Sequence, residues 1–167
     1  MKTRWLDADE LATWVQLVAV TELLPGALDS QLRREADLTH FEYLVLAMLS
    51  EAEDHTLQMS ALAQRTNATL PRLSHVVRRL EERGFVDRTR VATDGRATNA
   101  LLTAEGHAKL VASAPGHVEN VRSVVFDALT AEQVTQLRSI TGSLLSGLDP
   151  DGRMTAHLVA KDTTEAS

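Results

Sequence analysis

Eight arginines fall between Ser60 and Arg96 (Arg65, Arg72, Arg78, Arg79, Arg83, Arg88, Arg90 and Arg96), against four acids, Glu81, Glu82, Asp87 and Asp94. The segment carries a local charge of +4 in a chain of net charge −6, which leaves −10 for everything else. A polyanion is repelled by most of such a surface and drawn to one stretch of it. Guanidinium groups hold phosphate oxygens in forked pairs and match the O6/N7 edge of guanine in the same way. The chemistry on offer is therefore recognition of duplex nucleic acid.

The spacing sorts these groups into roles. A helix from about Thr69 or Leu70 to Arg83 places Leu70, Leu73, Val77 and Leu80 on one stripe at 100° per residue. The opposite face then carries Pro71, Arg72, His75, Arg78 and Arg79. The major groove admits one helix, and side chains near its N-terminal half read base edges. Thr69, Pro71, Arg72, Ser74 and His75 suit that end, with Arg72 the expected base contact. His75 suits an acceptor edge or a phosphate. Arg78 and Arg79, a turn further on, are expected on phosphate. Ser60 reads as the cap of a preceding short helix, Ala61–Arg65, whose free amides could hold another phosphate. Beyond Gly84, two strand-like runs, Phe85–Val91 and Ala97–Leu102, flank a tight polar tip, Thr93-Asp94-Gly95. Arg96 beside that tip is expected to probe the minor groove or backbone. Asp94 is expected to accept from Arg96 or from the turn amides. Arg88 and Arg90 share one strand face and would flank the groove.

The elements that must position these groups are mostly helical. Leu11, Trp14, Val15, Val18, Leu24, Leu28 and Leu32 recur at helical steps, with a kink or short break expected at Pro25-Gly26. Thr39 and Glu42 form a capping box for a buried helix to about Ser50. Glu51–His55 reads as a polar loop and Thr56–Met59 as a short strand. Thr103 caps a long helix toward Leu129, with a break expected near Pro115-Gly116. Thr130 and Gln133 form a second capping box. The fold class expected is mainly α with a small β-hairpin, a winged helix-turn-helix with N- and C-terminal dimerisation helices. The expected division is 1–36 for the N-terminal dimerisation segment and 37–103 for the DNA-binding domain, then 104–148 for the C-terminal helices and 149–167 for a flexible tail. The terminal regions Leu11–Leu32 and Val118–Leu148 carry more apolar surface than a small winged helix needs, which predicts burial against a second copy.

Composition excludes several alternatives. The chain is 44% hydrophobic and has no cysteine, so disulfides, thiolate metal sites and thiol redox chemistry are absent. Cytoplasmic residence is expected. The N-terminus lacks the apolar core of a secretory signal, and no membrane partner is expected. No Walker loop, nucleophile elbow or dinucleotide fingerprint occurs, so the chain is not expected to be an enzyme or to carry a cofactor.

The strings LTHFEYLVLAMLSE (38–51), MSALAQRTNATLPRLSHVVRRLEERGFVDRTR (59–90), TDGRATNALLTAEGHAKL (93–110) and DALTAEQVTQL (127–137) together resemble the MarR family of winged-helix transcriptional regulators. Asp94-Gly95-Arg96 and Leu102–Gly106 are the most specific pieces. The resemblance implies a two-fold dimer on a palindromic operator, with Leu70–Arg79 in the reading role and Asp94 and Arg96 in the wing roles. It further implies a sequence-specific, ligand-responsive repressor. A small aromatic or anionic effector would bind between the dimer helices and the DNA-binding lobe, near Trp14, His40, Tyr43, Pro115 and His117. Two other readings stay open: a winged-helix module that binds protein instead of DNA, and a metal-gated regulator. Against metal, no HExxH, no histidine pair at i,i+4 and no cysteine is present.

Overall fold

The computed structural model describes residues 3–91 and 94–155, with side chains at 91 and 94–96 outside the described residues. In chain order the elements are α1 (Ala8–Ala36), α2 (His40–Ser50), β1 (Thr56–Gln58), α3 (Met59–Arg65), α4 (Leu70–Glu82), β2 (Val86–Val91), β3 (Asp94–Leu102), α5 (Ala104–Val124) and α6 (Ala131–Leu148). Short 3-10 turns at Glu53–His55 and Phe126–Ala128 join them.

Local chemistry sets most of these boundaries. Asp7, Thr39 and Thr130 each accept from the backbone N–H three residues on, while Glu10, Glu42 and Gln133 reach back, completing three capping boxes. Thr103 caps α5 by accepting from Gly106 N–H. Gly84, at φ +75°, ends the α4 region in the left-handed conformation. The sheet is antiparallel in the order β1-β3-β2, with Thr56 opposite Leu101 and Val86 opposite Leu102.

One apolar core lies beneath the lobe formed by α2 to β3. Leu46, Leu49, Leu62, Leu73, Val77, Leu80, Val86 and Ala100 are all fully buried there. The C-terminal part of α1 joins it through Leu32 and Ala36, and α5 through Leu110. The outer elements differ sharply. α6 buries none of its residues within the chain. Ile140 and Leu144 on α6 are 56% and 43% exposed, and Trp14, Val15, Val20 and Leu23 on α1 are exposed as well. By length and composition alone α1 could cross a membrane, although Gln16, Thr21 and Glu22 interrupt its apolar run.

Four local expectations are corrected. α1 runs through Pro25 and α5 through Pro115 without a break. Each proline removes only one backbone donor, and the C-terminal part of α1 packs against α5. Ser60 does not cap α3: the helix starts two residues earlier, at Met59, with Gln58 at the cap, and Ser60 Oγ donates to Gln58 Oε1. Leu70 is 50% exposed, because at the first position of α4 it lies at the edge of the buried stripe. After α6, Asp149 accepts from the N–H groups of Arg153 and Met154 and turns the chain.

Candidate nucleic-acid interface

The amphipathy of α4 decides what it presents. Leu73, Val77 and Leu80 lock one stripe into the core. Pro71, Ser74, His75 and Arg78 are exposed on the other side. Arg72, Arg79 and Arg83 fall together on a flank about 100° from the stripe, and that flank leans on α2. Thr69 sits at the N-cap and accepts from Arg72 N–H at 3.4 Å.

The arginines have different attachments. The guanidinium carbon of Arg72 sits 4.3 Å from the centre of the Phe41 ring. Arg78 Nη2 donates to His75 Nδ1 at 3.2 Å, since a guanidinium can only donate, and its Nε lies 3.8 Å from Glu82. Arg79 Nη2 lies 3.1 Å from Oε1 of Glu42, a carboxylate only 1% exposed. Arg83 approaches the other oxygen of Glu42 at 4.0 Å and donates to the backbone oxygen of Asp37. Arg88 on β2 donates to Glu81 Oε2 through both Nε and Nη2, at 2.8 and 2.5 Å, which ties β2 to α4. Arg90 shares the face of Arg88, as expected, and has no carboxylate partner among the described residues. The side chains of Asp94 and Arg96 lie outside the described residues, although their backbone opens β3. Ser60, Leu70, Ser74, Arg88, Ala97 and Thr98 line a cleft of about 450 Å³ between α4 and the sheet.

Sequence reasoning placed Arg79 on phosphate and gave Glu42 only a capping role. The structure gives Glu42 a second task. Its Oε2 accepts from Thr39 N–H at 2.7 Å while the carboxylate faces two α4 arginines. Glu42→Ala is expected to lower stability by about 1–3 kcal/mol, read as a lower denaturant midpoint at unchanged m-value. The cost falls short of that for a fully buried pair because Arg79 and Arg83 retain access to water when the carboxylate is removed. Glu42→Gln keeps the cap and should lose less. A single-sequence signal could not have found this pairing, since α2 and α4 are joined only by tertiary packing.

A second cluster lies where α2 meets α5. Tyr43 packs on His117 with ring centres 4.3 Å apart, and His40 lies 6.3 Å from His117. Burial holds the His40 imidazole below its usual pKa, partly opposed by Asp29. Burial also lowers His117, and the neighbouring His40 adds to the effect. Burial raises the Tyr43 phenol. Both imidazoles are therefore biased toward the neutral form. His117 Nδ1, Asn120 Nδ2 and Gln31 Oε1 are buried without a hydrogen-bond partner. Of the residues expected near an effector, His40, Tyr43 and His117 come together. Pro115 is exposed on α5, and Trp14 lies exposed on α1, about 22 Å of helix before Asp29. Asn120 and Gln31 were not anticipated. Asn120 sits one turn beyond His117 and was legible in principle. Among the described residues no three His, Asp or Glu side chains form a metal-ligating group.

A helix-turn-helix whose second helix projects a cationic face, followed by a two-stranded wing, defines a winged helix-turn-helix protein. Comparison with known proteins narrows the class. The MarR family model matches residues 36–97. Sco3205, a MarR family transcriptional regulator from Streptomyces coelicolor solved in complex with DNA, is 42% identical and superposes with a TM-score of 0.84, covering 89% of this chain and 93% of that one. AbsC, a MarR family transcriptional regulator from the same organism, is 34% identical with a TM-score of 0.80, over 87% of this chain and 98% of that one. The HTH-type transcriptional repressor YetL of Bacillus subtilis (strain 168) is 27% identical over 86% of this chain and 84% of its own length. The chain belongs to the MarR family of DNA-binding transcriptional regulators.

Proposed function

We propose that this protein is a cytoplasmic, ligand-responsive repressor that binds a palindromic duplex operator as a homodimer. α4 enters the major groove, and the β2–β3 wing meets the backbone or the adjacent minor groove. Arg72, with Thr69, Pro71, Ser74 and His75, reads bases. Arg78, Arg88 and Arg90, with Ser60 at α3, hold the phosphate frame, and Arg96 at the wing, fixed by Asp94, probes the minor groove or backbone. Arg79 joins the phosphate contacts only by leaving Glu42. The observation that carries this reading is the pinned amphipathic α4: Leu73, Val77 and Leu80 are buried while a cationic face stands in solvent.

The dimer is supported by the uncovered apolar faces of α1 and α6, for which a second copy is the natural cover. A dyad would set two α4 helices about 34 Å apart, one turn of DNA. The effector reading is supported by the His40–Tyr43–His117 rings and the unpaired polar atoms beside them. An aromatic anion bound there would shift the dimer toward a spacing that no longer fits the groove.

The test is a titration of duplex against salt. The logarithm of the association constant should fall with the logarithm of salt concentration, with a slope of about −0.9 per phosphate contact. Arg72→Ala should cost about 1–3 kcal/mol and relax preference at one base position in each half-site. Equal weakening on every duplex would move Arg72 to the phosphate contacts. An undetectable or salt-insensitive interaction across many duplexes would instead favour a protein-binding module.

A further inference from the structure

We propose that Phe41 is a positioning residue for Arg72, holding the reading guanidinium at the mouth of the groove without occupying its donors. The inference rests on the reading of Arg72 as a base contact.

The other arginines around α4 have polar partners: Arg78 donates to His75, Arg83 to Asp37 and Arg88 to Glu81, while Arg79 lies 3.1 Å from the Glu42 carboxylate. Arg72 is held differently. Among the described residues it faces no carboxylate, and its guanidinium carbon stands 4.3 Å from the centre of the Phe41 ring. The difference matters for what each group can do next. A hydrogen bond to such a partner occupies N–H donors, and those donors must be withdrawn before they can address a base edge. An aromatic face attracts the charge through its quadrupole and takes none of the five donors in a directed hydrogen bond. The fork that matches guanine O6/N7 stays available while the side chain is biased toward one position.

The platform is itself fixed. Phe41 lies in the first turn of α2, packed against the core. The Thr39–Glu42 capping box closes that turn, and His40 N–H donates to Asp29 Oδ1 at 2.8 Å. Arg72 is restrained from the other side by its backbone N–H on the Thr69 cap. Ring and guanidinium are thus supplied by two elements whose first turns are both pinned. An exposed contact of this kind biases a side chain by only about two- to fivefold, weak enough for the base to win.

The experiment uses the full-length protein and duplexes with a randomised core, selected separately by each variant and sequenced. Phe41→Leu and Phe41→Met keep apolar bulk but remove the ring. Phe41→Tyr keeps the ring. Melting temperature reports folding in each case. The expected result is that both non-aromatic variants relax preference about two- to fivefold at the base position that Arg72→Ala relaxes, and at no other. Phe41→Tyr should restore it, and Phe41→Leu added to Arg72→Ala should change nothing more. If Arg72→Ala shifts base preference but the non-aromatic variants do not, or if they weaken all duplexes equally, the positioning role is overturned while the reading of Arg72 stands. If Arg72→Ala itself leaves base preference intact, that reading falls and Phe41 loses the role with it.

Discussion

Ile140→Glu combined with Leu144→Glu is expected to convert the protein to monomers and to lower its affinity for the selected duplex about 100- to 10,000-fold. The two residues are four apart on α6 and occupy one face, 56% and 43% exposed in the single chain. No α6 residue is fully buried within its own chain, so these substitutions remove little intrachain packing. Carboxylates placed in an apolar interface would be desolvated without partners, which opposes association strongly. The affinity loss follows from geometry. In a dimer, binding at one half-site brings the second reading helix to its target as an intramolecular event. A monomer forfeits that gain while keeping each helix intact. Sedimentation and duplex titration on the same samples check both halves. A dimer that survives both substitutions would remove α6 from the interface.

Gly106→Ala is expected to be the most destabilising of the single conservative changes, at about 3 kcal/mol. A methyl group at Gly106 would lie 2.1 Å from the Phe85 backbone oxygen and 2.8 Å from Leu102 Cδ1. Neither can yield cheaply. Phe85 O already accepts from Thr103 N–H, and Thr103 Oγ1 donates to Gly84 O while accepting from Gly106 N–H. Admitting the methyl group requires the first turn of α5 to lift from the start of β2, which breaks that set of bonds together. Overpacking accounts for about 1–3 kcal/mol and each lost hydrogen bond for about 1. The melting temperature should fall by about 6–12 °C. A variant that melts within a degree or two of the parent would show that the α5–β2 junction has slack.

The sequence reading succeeded where structure is dictated locally and failed where distant elements decide. The capping boxes at Thr39 and Thr130, the cap at Thr103 and the left-handed Gly84 were all readable, because donor and acceptor lie within three or four residues of each other. The stripe of Leu73, Val77 and Leu80 was readable from its period. Pro25 and Pro115 misled because each removes only one backbone donor, a loss that a helix of 29 or 21 residues absorbs without ending. Leu70 misled because periodicity carries no information about where the core ends. In the interface, residue types were legible and their attachments were not. Arg72 and Arg79 announced themselves as cations, yet Phe41 and Glu42 precede them by more than thirty positions, and only the crossing of α2 with α4 brings them into contact.

The first turn of α2 looks two ways. His40 and Tyr43 turn toward α5 and the histidine at 117, while Phe41 and Glu42 turn toward the arginines of α4. Four consecutive residues span only about 6 Å along the axis. A signal received at the ring cluster would therefore need no relay across the lobe. The one capping box that closes this turn holds the ring cluster and the guanidinium support alike, so loosening it would disturb both at once.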